Sequence, residues 1–476
     1  MENELKERYG LATAISMVIG IVIGSGVFFK AQNVLSLTNG NMPLGILAWI
    51  IGGLIMIICA YCFSILGAKY NKVNGIVDYA EATCGGKYAY RTGWFITTIY
   101  TPCMTSVLAW VSARYTLAIF GDFDIQSGRC MTLAALYLII SYAVNSLAPK
   151  FAGKVQVSTT AIKLIPLILM AIVGTFYGVS VIPEGEIMPQ LILNFATINN
   201  SGMSSLLGAV VATAFAYEGW ILDTTINQEL KDAKKNLPKA LVSGTLIVII
   251  IYIIYYIGIA GGASVDVLIK DGATVAFKNI FGNVGGTILN TFVAISCLGT
   301  LNGLMLSCIR NMYSLAKREH GPKPEVIKQV DVATNMPTNS AIVGLAFCMV
   351  WLFYFYVANL DTLFLRSYDA TSANWLIRFL GEFNQIDNTY MINWFAFDSS
   401  ELPIVCIYLF YIPIFIKMFK MNDLSKIKRV LVPILGIVSS LFMIYAAIYA
   451  HKISAIYFMI IFIIVMKIGD LFYNKR

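Results

Sequence analysis

Long apolar runs follow one another along almost the whole chain, and they leave little choice of fold. A helix needs about 20 apolar residues to cross a bilayer, and about twelve such runs occupy most of the 476 residues. Only 13% of the residues are charged, against roughly 25% in soluble domains. Mean hydropathy is +0.74. The spans read as 11–37, 43–68, 91–120, 131–149, 155–180, 204–230, 239–262, 284–317, 339–360, 402–420, 428–450 and 453–473. The expectation is an all-α integral membrane protein, one transmembrane domain over 1–476, with no soluble domain of useful size. The stretch Met1–Arg8 lacks the pattern of a cleavable signal peptide, so the first span is expected to be retained.

The net charge of +8 has its explanation in placement. Lys69, Lys72, Lys87, Arg91, Lys231, Lys234, Lys235, Lys239, Arg310, Lys317, Arg318, Lys426, Lys428 and Arg429 all fall on the side that holds the N-terminus. The loop around Glu184 and Glu186 has no basic residue. Positive charge concentrates in this way on the cytoplasmic side. An even number of spans then puts both termini in the cytoplasm of a multi-pass cell-membrane protein. A nucleic-acid partner is not expected.

Spans one to five and six to ten form two sets of five, about 11–180 and 204–420, with two further helices over about 428–473. Five is odd, so the second set would run inverted with respect to the first. Inverted repeats place a site where their first helices meet. This repeat follows from span count, not from similarity between the halves. A long outer loop, 361–399, is expected to carry a short interfacial helix around Trp375 and Leu380.

The first span contains Ile23-Gly24-Ser25-Gly26-Val27-Phe28. Backbone released from a helix at membrane depth survives only where it lines a cavity or is buried in protein. Glycine leaves helical geometry cheaply. Amides freed at Ser25, Gly26 and Val27 would stand at the positive end of the next half-helix and suit a carboxylate. Gly20-x-x-x-Gly24 is equally a packing motif for a neighbouring helix.

The sixth span reads Ala214-Phe215-Ala216-Tyr217-Glu218-Gly219-Trp220. A mid-span carboxylate such as Glu218 marks a functional site by default, and Gly219 would help the helix unwind. Carbonyls freed at Phe215, Ala216 and Tyr217 would accept from an ammonium group. Two breaks face to face would then hold both ends of a zwitterion. The plainer alternative pairs Glu218 with a cation such as Lys163. Asp223 is nearer the span end and reads as solvated. Phe215 is the candidate gate, while Tyr217 and Trp220 serve packing equally well. Tyr100, Thr101 and Pro102 are weaker candidates for cavity lining.

Lys163 lies too deep in the fifth span to snorkel easily. Three roles are open: a proton-coupling group, a fixed cation, or a tie to backbone carbonyls of the broken first helix. Cys59-x-x-Cys62 has redox spacing but sits in an apolar run without a second pair, which favours packing. The two histidines, His320 and His451, are expected in loops on opposite faces. No metal, cofactor or catalytic constellation is expected, so the chain does not read as an enzyme.

At these residues the chain resembles the amino acid–polyamine–organocation superfamily, and within it bacterial L-type amino acid transporter-like permeases. The matching segments are Gly24–Phe28, Phe215–Trp220, Glu229-Leu230-Lys231, Lys235–Pro238, Arg91–Phe95, Lys163–Leu167, Leu301-Asn302-Gly303 and Arg310–Tyr313. The resemblance implies a leucine-transporter-type five-plus-five fold with broken helices 1 and 6 and two extra helices. It implies a substrate carboxylate at Ser25, Gly26 and Val27, with Gly24 in the same break. It implies an amino group at the carbonyls of Ile23, Phe215, Ala216 and Glu218. It places Lys163 where sodium-coupled relatives hold an ion, which points to sodium-independent exchange or proton symport. Glu218 departs from the small or neutral residue common there. So do the loop Val73–Tyr79 and the long outer loop. The expected function is secondary active amino acid transport by alternating access, with an amino acid as substrate and protons as candidate coupling ion. The rival is a sensor or structural membrane subunit that binds an amino acid without moving it.

Overall fold

The structure is a computed structural model that describes residues 10–70, 75–121, 124, 127–197, 202–220, 230–360, 365–367, 385–386, 389–393 and 396–473. Eight helices among these are long and apolar enough to cross a membrane: Met42–Tyr70, Gly86–Ile119, Gly128–Leu147, Lys235–Gly262, Ala273–Lys317, Thr338–Ala358, Ile427–His451 and Ile453–Leu471. Four shorter apolar helices lie at Leu11–Gly20, Leu164–Ser180, Met203–Ala216 and Leu402–Met418. The short ones coincide with runs in which glycine, lysine or proline interrupts the apolar pattern.

Contacts gather the chain into two compact units. The first draws on residues up to Thr92, on Val155–Thr300 and on Ile404–Ala446; the second on Gly93–Lys154, Leu301–Pro403 and the chain from Ala447 onward. In the first unit the helix Ala233–Gly262 lies along Met42–Tyr70 and along Leu11–Val22, while Gly26–Leu37 packs on Met203–Ala216. Small residues set some of these approaches. A Cβ on Gly174 would come 2.5 Å from the Gly258 carbonyl oxygen, so the fifth and seventh apolar runs cross backbone against backbone. Cys62 donates its thiol to the Val432 carbonyl at 3.4 Å, which is a packing contact.

In the second unit Thr101–Ile119 packs against Gly128–Leu147 and Thr338–Phe355. A π-helical turn, Ile96–Tyr100, precedes Thr101, where Pro102 denies the helix a donor. Thr101 accepts from the Asn311 amide at 3.0 Å. Asn145 donates to the Asn302 side chain at 2.8 Å.

The long outer loop departs from the all-helical expectation. Leu365–Ser367, Gln385–Ile386 and Thr389–Asn393 form a three-stranded antiparallel sheet with the last strand in the middle. The interfacial helix expected around Trp375 and Leu380 falls outside the described residues, as does Asp223. His451 corrects another expectation: it is the last residue of the helix Val432–His451, not a loop residue. Its ring nitrogen lies 3.2 Å from a Glu401 carboxylate oxygen.

Candidate functional site

The first interruption falls where the glycines put it. The helix Leu11–Val22 ends, Ile23 turns extended (φ −67°, ψ 95°), and a second half-helix runs from Gly26 to Leu37. Ile23, Gly24, Ser25, Gly26 and Val27 are all buried. Helix-starting amides have no intrahelical partner. Among the described residues, no backbone carbonyl accepts from the amides of Gly24, Ser25, Gly26 or Val27. The Ser25 hydroxyl is buried without a partner as well. The Gly24 amide faces the Tyr252 hydroxyl, so the amides of Ser25, Gly26 and Val27 and the Ser25 hydroxyl are the donors of this break left without a protein acceptor among the described residues.

The second interruption is equally local. The helix Met203–Ala216 stops, and Tyr217, Glu218 and Gly219 form a turn. Gly219 takes φ +109°, a conformation that side chains resist. Tyr217 is held in place by its hydroxyl, which donates to the Trp49 carbonyl at 2.9 Å. Trp220 packs on Phe63 and Tyr411, with ring centroids 5.7 and 6.1 Å away. Residues 221–229, which continue the chain beyond the turn, are outside the described set.

The two interruptions touch. A Cβ on Gly26 would lie 2.8 Å from the Ala216 α-carbon and 3.1 Å from the Phe215 carbonyl oxygen. Phe215 meets Phe29 edge to face at 5.1 Å. Gly24 has more room, since its Cβ would make ordinary 3.5 Å contacts with Thr300. Glu218 is buried at 8% exposure. Its carboxyl lies close enough to Cys59, Tyr408 and Tyr411 to act on them electrostatically.

Lys163 reaches the first interruption from the fifth run. It is 5% exposed, and its ammonium donates to the Gly20 carbonyl in the last turn of the first half-helix. It stands between the helices Pro149–Ile162 and Leu164–Leu169. Pro166 removes the amide that would otherwise continue the ladder there. Of the arrangements open from the sequence, the observed one ties Lys163 to backbone.

Two residues were missed in the sequence. The Tyr252 hydroxyl lies 3.1 Å from the Val22 carbonyl oxygen and 3.0 Å from that of Ala216, so it joins the last carbonyls of both half-helices. Nothing in the apolar stretch Ile249–Ile259 separates Tyr252 from Tyr255 and Tyr256. Lys30 is fully buried, with its ammonium 5.4 Å from the centroid of Phe29 and 5.7 Å from that of Phe215. Its place after two phenylalanines was a signal: a lysine one turn beyond the break shares the face of Gly26.

Two half-helices ending side by side, with their donors unspent, are the arrangement expected of a carrier for a small charged solute. The sequence profile of the amino acid permease family matches residues 9–468. The chain belongs to that family. The permease is 29% identical over 366 residues to the serine/threonine exchanger SteT of Bacillus subtilis, a match covering 76% of the permease and 79% of that protein. It is 28% identical to the human large neutral amino acids transporter small subunit 2, over 70% of the permease and 62% of the relative. It is 25% identical to the human cystine/glutamate transporter, over 74% and 68%. The relatives of the permease are transporters and exchangers, and it is a multi-pass membrane protein of that kind, not an enzyme.

Proposed function

We propose that this permease is a sodium-independent secondary active amino acid transporter working by alternating access, with exchange as its principal mode. The observation that carries this reading is the contact of Gly26 with Phe215 and Ala216, where two interrupted helices bring free amides beside helix-ending carbonyls. The substrate carboxylate takes the amides of Ser25, Gly26 and Val27, beside Gly24. The substrate ammonium takes carbonyls among Ile23, Phe215, Ala216, Tyr217 and Glu218, where Gly219 keeps the turn open. A zwitterion then satisfies the free amides of the first break and adds a donor to the carbonyls of the second.

Exchange is favoured over net uptake because a relative is named as an exchanger; sodium independence is supported by the Lys163 ammonium, which ties to the first half-helix. Proton coupling through Lys163 is the second mode, supported by its depth in the span. The eight long and four short apolar helices support twelve spans. We read them as repeats over about 11–180 and 204–420 and two further helices over about 428–473, with both termini in the cytoplasm of a cell-membrane protein.

The test is counterflow. Purified protein in liposomes loaded with unlabelled amino acids should accumulate labelled substrate transiently, without a sodium gradient. Thermal stabilisation by an amino acid with no counterflow would instead identify a sensor. Absence of both stabilisation and counterflow across the twenty amino acids overturns the proposal.

A further inference from the structure

The Lys30 side chain is fully buried, on the half-helix that meets Phe215. A charge there needs compensation, because dry surroundings penalise it heavily. Compensation comes in part from ring faces. A cation within about 6 Å of an aromatic centroid is attracted by the ring quadrupole, more strongly when water is excluded. The Lys30 ammonium satisfies this distance on Phe29 and Phe215 at once.

The geometry follows from helix spacing. Gly26, Phe29 and Lys30 stand at i, i+3 and i+4 and share one face. Gly26 has no side chain, so the backbone of Phe215 and Ala216 closes on that face. The Phe215 ring is then fixed at the height of Phe29 and Lys30. The two rings meet in a T-shaped contact, at an interplanar angle of 74°.

We propose that Lys30 is a positioning residue for Phe215, and that the cation–ring contact holds Phe215 over the break as the gate of the substrate site. The inference rests on the proposed transport function and adds a residue and a force to it. Withdrawing the Phe215 ring strips one π face from a buried ammonium, so the closed position is favoured for as long as Lys30 carries its charge. Bound substrate is then retained behind a ring that withdraws only at that cost.

The test replaces Phe215 with mono-, di- and trifluorophenylalanine in the full chain, which drains the ring quadrupole at nearly constant shape. Counterflow in proteoliposomes should show KM rising stepwise with fluorination, to about tenfold at the end of the series, with the maximal rate changed less than twofold. The series should be flat in a Lys30→Met background, and Lys30→Arg should restore the slope. The thermal midpoint of the ligand-free protein is a readout independent of transport. It should fall stepwise with fluorination in the Lys30 protein and stay constant in Lys30→Met. A slope in midpoint without counterflow in the unmodified protein would leave the contact standing and overturn the transport reading. A series flat in both KM and midpoint, or slopes equal in the two backgrounds, overturns the role of Lys30.

Discussion

Gly26 lies against Ala216 so closely that any side chain on it would enter the neighbouring backbone: its Cβ would stand 2.8 Å from the Ala216 α-carbon. This single approach joins the end of one interrupted helix to the start of another, 190 positions away in the sequence. It also separates two glycines that the sequence presents as equivalents.

Gly26→Ala is therefore expected to lower the thermal midpoint of the purified protein, by an amount corresponding to about 1–3 kcal/mol, and to abolish the shift produced by substrate. Gly24→Ala meets only Thr300 at 3.5 Å and should keep both its midpoint and its substrate-induced shift. Differential scanning fluorimetry of the two variants decides the matter; equal behaviour would place the contact wrongly.

Lys163→Ala removes the donor to the Gly20 carbonyl. The first half-helix then loses its tie to the fifth run, and counterflow should drop more than about tenfold. This is the effect of roughly 1.4 kcal/mol or more, within the range for a lost charged hydrogen bond. Gel filtration and helicity should be unaltered. Unchanged flux would remove Lys163 from the mechanism.

Tyr252→Phe keeps the ring and deletes the hydroxyl that lies near both Val22 and Ala216. Two buried carbonyls lose a shared donor, at a cost of about 1–3 kcal/mol. The midpoint should fall, and the fall should shrink when saturating substrate supplies its own ammonium to the Ala216 carbonyl. A deficit of the same size with and without substrate would separate Tyr252 from the site.

Outside the membrane-crossing helices, the hydrogen bond from Lys69 holds the Asp423 carboxyl below its ordinary range. A carboxylate with a lowered folded pKa contributes stability above the unfolded value, near 3.9, and loses it as the pH falls through the folded one. The pair is solvent-exposed, so its contribution is small. Asp423→Asn should differ little from the unmodified protein in thermal midpoint at pH 7, and the difference should begin to shrink below about pH 4 and vanish once the pH is below the folded value. A difference that widened on acidification would reverse the assigned sign.

The sequence by itself determined the apolar helices and where two of them fail. Backbone groups in lipid must be satisfied within the segment, so Gly24-Ser25-Gly26 and Glu218-Gly219 inside apolar runs report interruptions without reference to anything distant. Lys163 was legible as an intramembrane charge for the same reason. A tie to carbonyls of the broken first helix was among the roles open to it, but which carbonyl it meets was not legible, because Gly20 is 143 positions away. Tyr252 acquires meaning only from what is packed beside it, and Lys30, whose place one turn beyond the break was legible, acquires its second ring, Phe215, only in the fold. The sheet in the outer loop was missed because its strands are two to five residues long, too short to carry a period. Which glycine is crowded, which carbonyl the lysine meets and which ring receives the buried ammonium were decided by tertiary structure, since each depends on the distance between helices that the chain's local hydrogen bonding leaves free.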